Sequence, residues 1–134
     1  MRNFIYSVIF SALALPNIAL AQAGKVQDII AAQLQAFMAD DFKGAFEFAA
    51  PNIQLMFKSP DNFETMVKNG YPMVHRHRSV VFGEYNEQPN SSSQVVSLEA
   101  LDGSVYTLQY DLVETGGQWR IMGVLILSRS ATGV

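Results

Sequence analysis

The hydrophobic period of this chain changes at Tyr71, and that change constrains the fold more than any other feature. Before Tyr71, apolar residues recur at steps of three and four, which is the stripe of an amphipathic helix. After it they recur at steps of two: Tyr106, Leu108, Tyr110 and Leu112 share one side of a strand. Helices followed by antiparallel strands predict an α+β domain, with N-terminal helices packed on one face of a curved sheet.

Three helices are predicted before that point. The first lies within "VQDIIAAQLQAFMADDF", with Gln33 among the residues of its polar faces. Its apolar stripe consists of Val26, Ile29, Ile30, Leu34, Phe37 and Met38. Asp40 or Asp41 is placed to cap a short second helix that runs to about Ala49.

The third predicted helix has the clearest ends. Ser59 can cap it, Pro60 suits its first turn, and Asn69-Gly70 supplies a left-handed stop. The segment before it, "NIQLMF" at residues 52–57, alternates weakly between apolar and polar residues. That pattern predicts either a short strand or a buried connector.

Four strands are predicted, near residues 73–87, 93–101, 104–114 and 118–128. Asp102-Gly103 joins the second and third strands as a tight hairpin, and "ETGGQ" joins the third and fourth. A sheet that curls around the first helix would form a cone with a cavity at its open end. The last strand is apolar on both faces, so both should be covered, and a second copy of the chain is the simplest outer cover.

The N-terminus has the layout of a secretory signal peptide. Arg2 precedes an apolar run over residues 4–15, and two small-x-small sites follow, ending at Ala21 and Ala23. The run is short for an uncleaved membrane anchor, which needs about 20 apolar residues. We therefore expect residues 1–23 to be removed, by a cut after Ala21 or Ala23, and the rest to be periplasmic or secreted.

The remaining segment, residues 24–134, is expected to form one domain without disulfides, because the chain has no cysteine. The same absence excludes thiol chemistry and cysteine-ligated zinc. Removing Arg2 from the 9 basic residues leaves 8 against 12 acidic ones, a net charge of −4. A mildly acidic surface without charge clusters argues against nucleic acid and against membrane surfaces as partners of the cleaved form.

Three blocks of the chain carry a family resemblance: "QDIIAAQLQAFMADDFKGAFEFAAPNIQLMF", "SPDNFETMVKNGYPMV" and "WRIMGVLIL". They resemble a bacterial exported family known as domain of unknown function 4864. The helix-first layout and closing strand are also similar to the wider nuclear transport factor 2-like (cystatin-like) superfold, which includes ketosteroid isomerase, scytalone dehydratase, polyketide cyclases and many binding domains. The resemblance implies a cone-shaped fold and homodimers, and it implies no activity.

The stretch "YPMVHRHR" holds both histidines, His75 and His77. On a strand they would share a face and could bind one metal ion, but no third histidine or cysteine completes a zinc site. Nothing in the sequence ties Glu84, Glu87 or Asp111 to this strand. We therefore predict no metal and no cofactor, and interpret the segment as a polar edge strand. The family resemblance implies a packing role for His75, because tryptophan is usual at that position.

Five residues are candidates for lining the predicted cavity: Tyr71, His75, Tyr85, Tyr110 and Asp111. Abundant aromatic residues and dispersed methionines favour a non-catalytic module that binds a small apolar ligand. A cofactor-free isomerase or dehydratase is one alternative, with Asp111 as base and a tyrosine as donor. Since strand alternation turns Asp111 away from Tyr110, that role needs Tyr85 or His75. The other alternative is a homodimeric envelope interaction domain that uses the outer sheet face.

Overall fold

The computed structural model describes residues 14–131, and most of the predicted signal peptide, residues 1–13, lies outside the described residues. The described chain folds into five helices followed by four strands, which confirms the predicted α+β class. The elements are α1 (Ala14–Met38), α2 (Phe42–Glu47), α3 (Pro51–Phe57), α4 (Pro60–Gly70), α5 (Pro72–His75), β1 (Ser79–Gln88), β2 (Ser91–Glu99), β3 (Val105–Thr115) and β4 (Gln118–Ser130). None of the described helices combines the length and the hydropathy needed to cross a membrane.

The strands form one antiparallel sheet in the order β1-β2-β3-β4, so each strand pairs with its neighbour in sequence. Gly103 turns the chain between β2 and β3 with φ 88, and Gly116 and Gly117 turn it between β3 and β4 with φ 59 and 79. Both hairpins lie where the turn residues predict them. The two edges of the sheet are β1 and β4.

The core lies between α1 and the inner face of the sheet. The buried side chains that meet there include Val26, Ile30, Leu34 and Phe37 from α1 and Leu98, Leu108, Tyr110 and Leu112 from the sheet. The alternation predicted for β3 is thus confirmed. A parallel bridge between Ala49 and Ile121 ties the helical layer to β4, and the Ala50 N–H donates to the Ile121 carbonyl at 2.7 Å.

Side-chain caps begin two of the helices. Asp41 Oδ1 accepts from the Gly44 N–H at 2.9 Å at the start of α2. Ser59 Oγ accepts from the Asn62 N–H at 3.2 Å at the start of α4, as predicted. Of the two aspartates that could cap α2, Asp41 is therefore the cap. Asp40 instead takes a left-handed backbone conformation, φ 58, which reverses the chain after α1.

Residues 52–57 form neither a strand nor a buried connector, because they belong to helix α3. Pro51 occupies its first turn after Ala50 in an extended conformation. Gln54 Nε2 donates to the carbonyls of Phe46 and Ala49, at 3.1 Å each, and so satisfies acceptors at the end of α2. Leu55, on the outer side, is 77% exposed. Two helical turns contain too few residues to separate a period of two from a helical period.

The predicted first strand begins too early. Residues Pro72–His75 form helix α5, and β1 begins only at Ser79. Pro72 suits a first helical position, and the Arg76 N–H closes the single turn by donating to the Pro72 carbonyl at 3.0 Å. His75 and His77 therefore lie outside the sheet. The predicted edge strand at these residues, with both histidines on one face, is wrong.

Within the described residues, strand β4 is covered over only part of its length. Trp119 and Ile121 are buried, whereas Leu125 and Leu127 are 55% and 50% exposed. Ile126 between them is also exposed. The second half of this edge strand thus presents apolar side chains to solvent.

Candidate ligand-binding cavity

A cavity of 340 Å³ lies between helices α1, α3 and α4 and strand β4. Its lining consists of Gln33, Phe37, Ala49, Ile53, Met56, Phe57, Phe63, Met66, Val67, Tyr71, Val74, Ile121, Gly123 and Val124. Among the described residues of the lining, only Gln33 and Tyr71 bring polar side chains, and none is charged. The volume lies at the small end of the range of about 300–1,000 Å³ that is typical of small-molecule pockets.

Contacts between aromatic rings join the three helices that form walls of the cavity. Phe57 of α3 meets Phe63 of α4 edge-on, with ring centroids 6.0 Å apart. Phe63 also stacks on Phe37 of α1 at 5.9 Å. Met56 both lines the cavity and is 65% exposed, so it lies at the rim. Helix α3 is therefore the wall nearest to solvent.

Gln33 is the most buried polar residue of the lining, with 3% of its surface exposed. Its Nε2 donates to the Ala45 carbonyl at 3.1 Å, which fixes the orientation of the amide because a carbonyl only accepts. The assignment of Gln33 to a polar face of the first helix is wrong, since α2 packs over that face. Its steps of three from Ile30 and four from Phe37 are the signal that could have placed it on the buried stripe.

Tyr71 is the predicted site residue that lines the cavity directly. Its hydroxyl donates to the Val124 carbonyl at 3.0 Å, which connects the end of α4 to strand β4. With that proton engaged, the phenolic oxygen still has a lone pair with which it can accept.

Tyr110 is not among the residues that line the cavity. It stands opposite Val124 in the register of β3 and β4, so the two side chains rise from the same face of the sheet. Tyr110 is fully buried, and its hydroxyl has no hydrogen-bond partner in the described chain. Burial, and secondarily the Tyr71 phenol, raises the pKa of Tyr110 well above its usual value of 10.0. Its phenol therefore stays neutral.

Tyr85 and Asp111 do not line the cavity. Tyr85 lies on edge strand β1, where its hydroxyl donates to Glu87 Oε1 at 2.9 Å. Burial, followed by the Glu87 contact, raises the pKa of Tyr85 to about 12. Asp111 accepts from Gln109 Nε2 at 2.9 Å on the opposite face of the sheet from Tyr110. The structure thus brings Asp111 together with neither Tyr85 nor His75.

His75 belongs to a separate cluster at the end of α1. Its Nε2 lies 2.8 Å from Asp40 Oδ1, and its ring packs against Phe42 with centroids 5.2 Å apart. Arg76 donates hydrogen bonds to both oxygens of the same carboxylate, at 2.9 and 3.0 Å, and also donates to the Phe37 carbonyl. The His75 hydrogen bond, and next that of Arg76, holds the pKa of Asp40 below its usual value of 3.8. The cluster closes the turn between α1 and α2.

His77 does not extend this cluster toward a metal site. Its Nδ1 is buried without a hydrogen-bond partner in the part of the chain that the structure describes. Burial lowers the pKa of His77 below its usual value of 6.5. Among residues 14–131, no group of three or more histidine, aspartate or glutamate side chains is arranged to hold a metal ion.

The family described as domain of unknown function (DUF4864) matches residues 19–134. The chain belongs to this family. No curated protein matches it. Every residue that lines the cavity of this DUF4864 domain lies within the matched segment. Membership of the wider nuclear transport factor 2-like superfold stays a prediction.

The contribution of α3 to the cavity of this DUF4864 domain is not visible in the hydrophobic pattern. Ile53, Met56 and Phe57 enter the lining only because residues 52–57 are helical. The signal that could have revealed them is Pro51, since proline is common in the first turn of a helix.

Proposed function

We propose that this DUF4864 domain binds a small, neutral and largely apolar molecule in the cavity between α3, α4 and β4. The observation that carries the proposal is the lining: 340 Å³ bounded by aliphatic, aromatic and thioether side chains, with two polar residues and no charged one in the part of the chain that the structure describes. Moving an apolar molecule from water into such a lining is favourable by roughly 25 cal/mol per Å² buried. A charged ligand would lose its hydration without gaining a counter-ion.

Within residues 14–131, the lining offers no carboxylate and no imidazole. An isomerase or dehydratase needs a base within hydrogen-bond reach of its bound substrate. Asp111, the base that the sequence suggests, lies on the other face of the sheet. Binding without catalysis is therefore the function that the geometry supports best.

Ligand-detected nuclear magnetic resonance with ethylbenzene tests this proposal. We expect saturation transfer from the wild-type protein to ethylbenzene. Val124→Phe adds a ring at a lining residue and should weaken binding about tenfold or more, a loss of about 1.4 kcal/mol.

Leu125→Phe is the matched control, because it places the same ring at the next, exposed position of β4. This variant should bind ethylbenzene as the wild type does. No transfer from the wild type, or equal binding by the two variants, would contradict the proposal.

We also propose that the chain is exported and that its mature form is periplasmic or secreted. The layout of residues 1–23 supports this, and one contact bears on the cut. Trp119 Nε1 donates to Gln22 Oε1 at 3.1 Å, a bond that a cut after Ala21 keeps and a cut after Ala23 removes. Expression from its own start in a Gram-negative host, followed by intact-mass measurement of the periplasmic fraction, checks both points. Full-length mass confined to the cytoplasm would count against export.

A second candidate function is self-association through β4. Exposed apolar side chains at positions 125, 126 and 127 on an edge strand favour it, because such edges are normally protected. The double variant Leu125→Lys/Leu127→Lys should convert a dimer to a monomer in light scattering. Leu55→Lys, at an exposed leucine of α3, is the control and should leave the mass unchanged. A wild-type protein that is monomeric at every concentration would exclude this function.

A further inference from the structure

Each polar side chain of the described cavity lining donates a hydrogen bond to a backbone carbonyl of the protein. Gln33 Nε2 donates to the Ala45 carbonyl at 3.1 Å, and the Tyr71 hydroxyl donates to the Val124 carbonyl at 3.0 Å. Because Oε1 and Nε2 diverge from one carbon atom, the Gln33 oxygen points away from Ala45. Besides the second N–H of the Gln33 amide, these two side chains can still offer a ligand acceptor capacity, at Gln33 Oε1 and at the Tyr71 oxygen.

Gln33 Oε1 is the amide oxygen of a side chain that lines the cavity. It accepts no hydrogen bond from any described residue, yet it is not among the buried polar atoms that lack both a partner and solvent contact. This oxygen is therefore accessible to solvent. Since Gln33 lines the cavity and is only 3% exposed, the cavity is where this oxygen meets solvent. A ligand with no donor would cover the oxygen and leave it unpaired, which costs free energy.

We propose that the ligand of this cavity carries a neutral hydrogen-bond donor, a hydroxyl or an N–H group on an apolar body, which donates to Gln33 Oε1. This inference rests on the proposed function and narrows its ligand class to alcohols, phenols and N–H heterocycles. A ketone or an ether, which only accepts, would not pair with this oxygen. An ammonium group is disfavoured because none of the described lining residues carries a carboxylate.

Indole and indene form a matched pair of probes for the donor. They have nearly the same shape, and indole carries an N–H group where indene carries a methylene group. A neutral hydrogen bond to a buried acceptor is worth about three- to tenfold in affinity. We expect wild-type protein to bind indole more tightly than indene by that factor, measured by titration calorimetry or by chemical-shift titration.

Gln33→Met replaces the amide by an apolar side chain of similar length. It should lower the affinity for indole to that for indene. Gln109→Met, the same substitution at a glutamine that does not line the cavity, is the control and should retain the preference. Because Gln33→Met also removes the bond to Ala45, 1-methylindole provides a test that needs no variant. With its donor blocked, it should bind wild-type protein no more tightly than indene does.

The outcomes separate this inference from the proposed function. Equal affinities of the wild type for indole and indene would overturn the donor requirement and leave apolar binding standing. A preference for indole that persists in Gln33→Met would overturn the role of Gln33 as acceptor. Binding of neither probe would overturn both.

Discussion

Replacing Tyr110 by phenylalanine should stabilise this protein. The Tyr110 side chain is fully buried, and its hydroxyl has no hydrogen-bond partner in the described chain. Folding therefore removes water from that hydroxyl without replacing the lost hydrogen bonds. Phenylalanine keeps the ring in the core between α1 and the sheet. It removes the hydroxyl, which is the part of this side chain whose burial costs free energy.

The expected gain follows from two terms. An unpaired buried polar group costs about 1–3 kcal/mol. The void left by one oxygen atom offsets only about a few tenths of a kcal/mol, at about 24 cal/mol per Å³. We expect the free energy of unfolding to rise by about 1–2 kcal/mol, which for a chain of this length raises Tm by about 4–8 °C.

Tyr71→Phe is the matched control, because it is the same substitution at a hydroxyl that does have a partner. The Tyr71 hydroxyl donates to the Val124 carbonyl at 3.0 Å. Its removal leaves that acceptor short of one bond and should lower the free energy of unfolding by about 1 kcal/mol. The two variants should therefore shift Tm in opposite directions.

Thermal and urea unfolding followed by circular dichroism measures both variants. The proteins should be refolded from urea and dialysed, so that apolar molecules carried over from the host do not stabilise one of them. An unchanged m-value would show that the difference lies in stability alone. A Tyr110→Phe variant that is less stable than the wild type by about 1 kcal/mol or more would refute the reasoning, because that is the loss expected for a paired hydroxyl.

The remaining predictions concern a surface cluster, a buried amide and the outer sheet face. The hydrogen bond from His75 lowers the pKa of Asp40. The ionised Asp40 carboxylate therefore stabilises the folded state at a pH above the usual pKa of 3.8, and this stabilisation is lost as the pH falls through the lowered pKa. Asp40→Asn should therefore lower Tm near neutral pH, and its difference from the wild type should vanish in acid. Gln94 is fully buried, and its Nε2 donates to the carbonyls of residues 83, 84 and 95, at 3.0, 3.3 and 2.9 Å. Gln94→Leu should lower the free energy of unfolding by about 2–3 kcal/mol, measured in urea, because the three carbonyls that accept from its amide lose their donor. Asp111→Asn should leave ethylbenzene and indole binding unchanged in the same titrations, since Asp111 faces away from the cavity; a tenfold loss, about 1.4 kcal/mol, would place it in the site.

Sequence pattern predicts this fold well where an element carries its own signal. Ser59 and Pro60 mark the start of α4, and Asp102-Gly103 marks the turn between β2 and β3. The alternation of β3 places Tyr110 on the inner face. These signals are local, because caps, turns and strand faces depend on the backbone of a few neighbouring residues.

The candidate site is less predictable because it depends on which element covers which. The sequence pattern places Gln33 on a polar face, but in the structure α2 packs over it and supplies the Ala45 carbonyl. Residues 52–57 alternate weakly, yet they form the helix that becomes one wall of the cavity. His75, a predicted cavity residue, contacts Asp40 at the end of α1.

The order of helices before strands and the absence of thiol chemistry follow directly from the amino-acid sequence. These properties depend on composition and period, which need no knowledge of distant contacts. The existence of a cavity, the place of Tyr71 and Gln33 as the polar groups among its described lining residues, and the position of Asp111 outside it emerge from the packing of the whole chain. A cavity is space between side chains from segments far apart in the chain, so its size and polarity are set by how α1, α3, α4 and β4 pack together.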